Sequence, residues 1–117
     1  MKFGLSENVI CEINSVIEKY PQIEKALIYG SRAKGNFRNG SDIDLTIFGK
    51  DIDHDLLLKL LAELEKLLLP YYLDINIYHK ISNIDLLQHI RNFGKEFYTR
   101  KSMLPKSETV QTDPTIL

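Results

Sequence analysis

Cysteine is nearly missing from this sequence: Cys11 stands alone among 117 residues. No disulfide can form within the chain, and the cytoplasm is the expected compartment. Six glycines and four prolines are too few for a fibrous or low-complexity chain. No apolar run approaches the roughly 20 residues of a membrane span, so no membrane association is expected. The opening MKFGLSENVI carries one lysine and no long apolar stretch, and is read as no signal peptide. Charge of either sign is also in short supply: the net charge is −1 and neither sign forms a block. A basic stripe is the usual footprint of a nucleic-acid binder, so direct binding of DNA or RNA is not expected.

What remains is an ordinary globular composition, 44% hydrophobic and 26% charged. The length suits one core. Apolar positions Val9, Ile10, Ile13, Val16 and Ile17 share one face of a helix over 6–20, stopped by Pro21. KALIY at 25–29 reads as a strand ended by Gly30, and 31–37 as a short helix or turn. DIDLTIF at 42–48 alternates, with Ile43, Leu45 and Ile47 facing a core and Asp42, Asp44, Thr46 and Phe48 facing away. A leucine-rich helix spans 54–69, with Asp53 as N-cap and Pro70 as stop. Its stripe of Leu57, Leu60, Leu61, Leu64, Leu67 and Leu68 is widened by Leu56, Leu58 and Leu69, beyond what one small sheet covers, which suggests either deep packing or a partner surface. YLDINIY at 72–78 alternates again and exposes Asp74. A helix over 82–93 begins at Ser82, with Asp85 at capping-box spacing, and stops at Gly94; EFY at 96–98 is a short last strand. This order predicts an α+β fold, a small mixed sheet with helices packed against it. The domain is expected to occupy 1–100, leaving 101–117 as a tail with apolar points Met103, Leu104, Val110, Ile116 and Leu117.

The chemistry gathers between Gly30 and Asp74. Residues two apart on a strand point the same way, about 7 Å from each other, so Asp42 and Asp44 project together. Like charges so placed raise each other's pKa unless a cation lies between them, and hard carboxylate oxygens suit Mg²⁺. If the Asp74 strand pairs beside the 42–48 strand, three carboxylates converge, a set able to hold two metal ions for an in-line phosphoryl displacement. The Gly30–Ser31 turn offers close backbone approach and a hydroxyl to a phosphate. Arg32 and Lys34 bring positive charge.

Other residues carry less. Asp51 and Asp53 repeat the Asp-x-Asp pattern but precede a helix, where acids suit the dipole. His54, His79 and His89 have no metal-ligand spacing, and Cys11 reads as half-buried packing.

Taken together, GSRAKGNFRNGSDIDL resembles the signature of the nucleotidyltransferase superfamily of polymerase-beta-like fold: Gly-Ser, ten residues, Asp-x-Asp. The similarity runs from about Ala26 to Tyr78, and the short chain is similar to the minimal nucleotidyltransferase (MNT) branch. The resemblance implies that Gly30 and Ser31 bind nucleotide phosphates and that Asp42, Asp44 and Asp74 are catalytic metal ligands, Asp74 also a candidate base. Many relatives carry arginine at the position of Lys34, a change that keeps the charge. The resemblance further implies ATP as substrate, two Mg²⁺ ions, and a helical HEPN toxin as partner, whose tyrosine receives AMP from this antitoxin. A non-catalytic antitoxin that acts by binding alone, and an enzyme acting on a small molecule such as an aminoglycoside, are the alternatives. The acceptor, the base preference and homo- or hetero-oligomerisation stay open at this level.

Overall fold

The computed structural model describes residues 1–103. The expected tail begins at Lys101–Met103, a short 3₁₀ turn; the rest of it, including Leu104, Val110, Ile116 and Leu117, lies outside the described residues.

The first helix, α1, runs Glu7–Glu18, started by Ser6, whose Oγ accepts the Val9 N–H at 3.2 Å. Strand β1 is Lys25–Tyr29, and α2, Gly30–Lys34, is a single turn that begins where β1 ends. Strand β2 is Ile43–Phe48. Helix α3, His54–Glu65, is capped by Asp53, whose Oδ1 accepts the Leu56 N–H at 2.9 Å. Strand β3 is Leu73–Ile77, α4 is Ile84–Phe93 and β4 is Lys95–Thr99.

Two boundaries differ from expectation. Helix α3 stops at Glu65, not at 69, because the chain must reverse to reach β3. Leu68 makes the reversal with φ +54°, and Pro70 holds the residue before it out of the helical region. The cap of α4 is Asn83 and not Ser82; Asn83 Oδ1 accepts the Leu86 N–H at 3.1 Å.

The sheet has the order β3-β2-β1-β4. β1 is antiparallel to β2 and β4, while β2 and β3 are parallel, joined by the crossover through α3. One face is apolar: Ala26, Ile28, Ile43, Leu45, Ile47, Ile75 and Ile77 form a cluster with Ile13, Val16 and Ile17 of α1 and Leu56, Leu60 and Leu64 of α3. Leu58 and Leu68 are left exposed, so the inward edge of the leucine helix includes Leu56 and excludes Leu68. Cys11 is exposed, where half-buried packing was expected.

The second face is arranged in rows set by the strand register. Tyr29, Asp44 and Asp74 stand side by side; so do Leu27, Thr46 and Asn76. Below them Phe48 stacks on Tyr78 at 4.4 Å, with the Lys25 ammonium over the Phe48 ring. This face is not simply solvated. Thr46 lies on this face as expected but is fully buried, between Leu27 and Asn76 in the register.

Truncating Leu60 should cost about 2–5 kcal/mol in chemical denaturation, the range for a buried leucine. Leu58→Ala, on the exposed side of the same helix, should change stability by less than about 0.5 kcal/mol.

Candidate active site

The row Tyr29–Asp44–Asp74 is the centre of the site. Asp44 lies opposite Asp74 in the parallel ladder and opposite Tyr29 in the antiparallel one. Asp42, just before β2, is exposed, as is Asp74; Asp44 is half-buried. Burial first, and then the charges of Asp74 and Asp42, push the Asp44 carboxyl above its ordinary value, with His89 opposing them. Tyr29 feels the same surroundings. Burial and the charges of Asp74 and Asp44 push its phenol up to about 12, against a hydrogen bond from Asn76 Nδ2 at 2.7 Å. Its hydroxyl therefore stays protonated near neutral pH and is no base.

Gly30 forms the wall facing Asp44. Its φ is +74°, and a Cβ there would strike the Asp44 carboxylate. Both reasons demand glycine at this position. Ser31, half-buried, follows as the second residue of α2. The sequence thus places Gly30, Ser31, Asp42, Asp44 and Asp74 at one end of the sheet, around the start of α2 and the first residues of β2 and β3.

Arg32 is absent from this gathering. Its side chain is buried, with Nε and Nη2 donating to the Ser41 carbonyl at 3.1 and 2.9 Å and Nη1 donating to the Phe3 carbonyl at 2.9 Å. The guanidinium also lies over the Phe37 and Tyr71 rings. It is a brace for the loop that ends at Asp42, not a free cation for phosphates. Lys34 is exposed, its ammonium 5.1 Å from the centre of the Phe93 ring.

His89 is the residue that spacing arguments passed over. Its Nε2 accepts the Gly30 N–H at 3.0 Å, and its ring meets Tyr29 edge-on and packs against Phe93. A signal existed: His89 falls beside Leu86 and Ile90, the side of α4 turned toward the protein. His54 and His79 are exposed and take no part.

Among the described residues, no three His, Cys, Asp or Glu side chains converge tightly enough to form a ready cation cage. The donor chemistry nonetheless fits Mg²⁺. All three groups are carboxylates, their mutual repulsion is felt at Asp44, and among the described residues no ion pair neutralises them.

Comparison with known proteins follows this geometry. The family model described as polymerase beta, nucleotidyltransferase matches residues 11–103. A candidate protein adenylyltransferase of Methanocaldococcus jannaschii is 32% identical over 94 residues, covering 74% of this chain and 90% of that protein. Among solved structures, a toxin–antitoxin complex with AMP-PNP superposes with a TM-score of 0.63 at 22% identity, covering 84% of this chain and 77% of the other. A complex of a tri-AMPylated Shewanella oneidensis HEPN toxin with its MNT antitoxin gives 0.61 at 17% identity, with 96% and 84% covered. At these identities the structural likeness speaks to the fold.

The raised Asp44 pKa has a sign that can be measured. The folded chain holds this proton more tightly than the unfolded one, so stability is lost as pH rises from the ordinary carboxylate pKa, about 3.9, through the higher folded value. Asp44→Asn should therefore melt above wild type at pH 7, and the gap should close as the pH is lowered below about 4. Thermal melts across that range provide the check.

Proposed function

Because the chain belongs to the polymerase beta nucleotidyltransferase family, we propose that it moves AMP from ATP to a hydroxyl on a protein partner. The observation that carries this reading is the register of Asp44 against Asp74, with Asp42 two residues away and the left-handed Gly30 against Asp44. The name of the Methanocaldococcus jannaschii relative supports protein as the acceptor class. The partner in this reading is a helical HEPN-type toxin, supported by the AMPylated HEPN toxin found with an MNT antitoxin of the same fold; the acceptor in this reading is a tyrosine of that partner. The chain then acts as an antitoxin in the cytoplasm, where ATP is available. Residues 1–100 serve as the catalytic domain, and 101–117 as a tail available to the partner.

Asp42, Asp44 and Asp74 would hold Mg²⁺, which when bound neutralises charge at the α-phosphate and at the acceptor oxygen. Asp74, exposed on the edge strand β3, would take the proton of the incoming hydroxyl. The acceptor oxygen forms its bond to the α-phosphorus as the bond to the β-phosphate oxygen breaks, and pyrophosphate departs. Gly30 and Ser31 bind the β- and γ-phosphates through backbone N–H and hydroxyl. The docked partner supplies the acceptor in place, which makes the attack effectively unimolecular.

The expected result is a mass gain of about 329 Da per transferred AMP on the co-expressed partner after incubation with ATP and Mg²⁺, by phosphodiester formation at a hydroxyl. EDTA should abolish it. Asp44→Asn should abolish transfer in a folded protein, since the amide cannot replace a charged oxygen ligand. An unmodified partner that is still neutralised would favour inhibition by binding alone; an adenylylated aminoglycoside would favour the small-molecule reading.

Asp53→Ala supplies the matched control. It removes the cap of α3 and should cost about 0.5–2 kcal/mol of stability, while transfer at saturating substrate stays at the wild-type rate.

A further inference from the structure

The Gly30 N–H is already engaged. It points at His89 Nε2, 3.0 Å away, so an anion that takes this N–H must enter the space next to the imidazole. The imidazole is held there by the edge of the Tyr29 ring, at 6.0 Å and 78°, and by Phe93 at 5.1 Å. The Lys34 ammonium also lies against the Phe93 ring, 5.1 Å from its centre. His89 of α4 thus meets the turn at the Gly30 N–H, and the Asp44 carboxylate meets it where a Cβ of residue 30 would stand. The arginine that the sequence offered for this duty, Arg32, is turned inward and bonded to the carbonyls of Ser41 and Phe3.

We propose that His89 is a phosphate-binding residue of this site, whose Nε2 contacts the terminal phosphates of a nucleoside triphosphate and the pyrophosphate that leaves. The inference rests on the nucleotidyltransferase reading above. A ring nitrogen either accepts or donates. In the structure Nε2 accepts from Gly30. Once a phosphate oxygen takes the Gly30 N–H, the ring shifts to its Nε2–H tautomer, its proton leaving Nδ1 and arriving at Nε2 through solvent, and the same nitrogen donates to the phosphate. Two hydrogen bonds to an anion then replace one between neutral groups, and bonds to charged groups are the stronger kind. His89 thereby reads the β- and γ-phosphates and ignores the α-phosphate, so it separates ATP and pyrophosphate from AMP.

The test uses the full chain with Mg²⁺ and inorganic pyrophosphate, with AMP as comparison, by calorimetry and by amide NMR. In wild type, pyrophosphate should shift the Gly30 amide resonance strongly. His89→Ala should weaken pyrophosphate binding about tenfold, the scale of one hydrogen bond to a charged group, and leave AMP binding unchanged. His89→Gln, which keeps a donor and an acceptor, should recover part of the loss, and it carries the test if the alanine variant does not fold. Folded variants that bind pyrophosphate as tightly as wild type would overturn the role of His89 alone. Equal weakening for pyrophosphate and AMP, together with a lowered Tm, would make His89 a structural tie and also overturn it. Wild-type chain that binds neither ligand would overturn the nucleotidyltransferase reading with it.

Discussion

The site hangs on a buried guanidinium. Arg32 is 2% exposed, and its hydrogen-bond partners among the described residues are the carbonyl oxygens of Ser41 and Phe3, which with two aromatic faces offset its charge. A buried charge so held is expensive to disturb, because losing a partner leaves it uncompensated. The residues it joins are the ones that must not move. Ser41 precedes Asp42, Phe3 belongs to the amino-terminal segment, and Tyr71 leads into β3. The neighbouring Gly4, at φ +72°, is glycine because a Cβ would enter the Phe37 ring and press on the Arg32 guanidinium. One side chain therefore fixes where the acidic strand begins relative to the turn that faces it.

Against that brace works a repulsion. Three carboxylates gather at one end of the sheet, and Asp44, the least exposed of them, has its pKa raised first by burial and then by the charges of Asp74 and Asp42. The fold tolerates this because Asp44 extends from β2, an inner strand paired on both sides, so the backbone cannot yield. Tyr29 is pushed the same way, first by burial and then by the charges of Asp74 and Asp44. Such a concentration of negative charge, held by a rigid sheet, is typical of a site tuned for a cationic ligand and not for stability.

Much of this was legible in the sequence, for identifiable reasons. Alternation in 42–48 and 72–78 gave the strands because β-strands put successive side chains on opposite faces. The Gly-Ser and Asp-x-Asp spacing marked the turn and the acids, and Asp53 read as a cap because it precedes an amphipathic run. The end of α3 was hidden by leucines that continue past Glu65 into the reversal at Leu68. Thr46 misled because alternation reports the side of a strand, not whether that side is covered. The direction of Arg32 and the backbone contact of His89 were not legible for one reason: a sequence gives charge and position, while direction comes from what packs around the side chain. Arg32 turned toward carbonyls, and His89 turned toward a backbone N–H across 59 residues.

The parallel pairing of β2 and β3 has a kinetic meaning. β1 and β2 are antiparallel neighbours separated by a short segment, whereas β2 meets β3 after the whole α3 crossover has been laid down. Loop-closure entropy must be met before such a contact is rewarded, so parallel pairs of this kind are slow to form. Asp44 and Asp74 become neighbours only through that pair. A chain that has collapsed without closing the crossover keeps Asp42 and Asp44 together on β2 but leaves Asp74 apart from them, so a divalent ligand lacks the third carboxylate. Whatever bridges the two carboxylates therefore binds the completed fold alone, and by mass action draws the chain toward it.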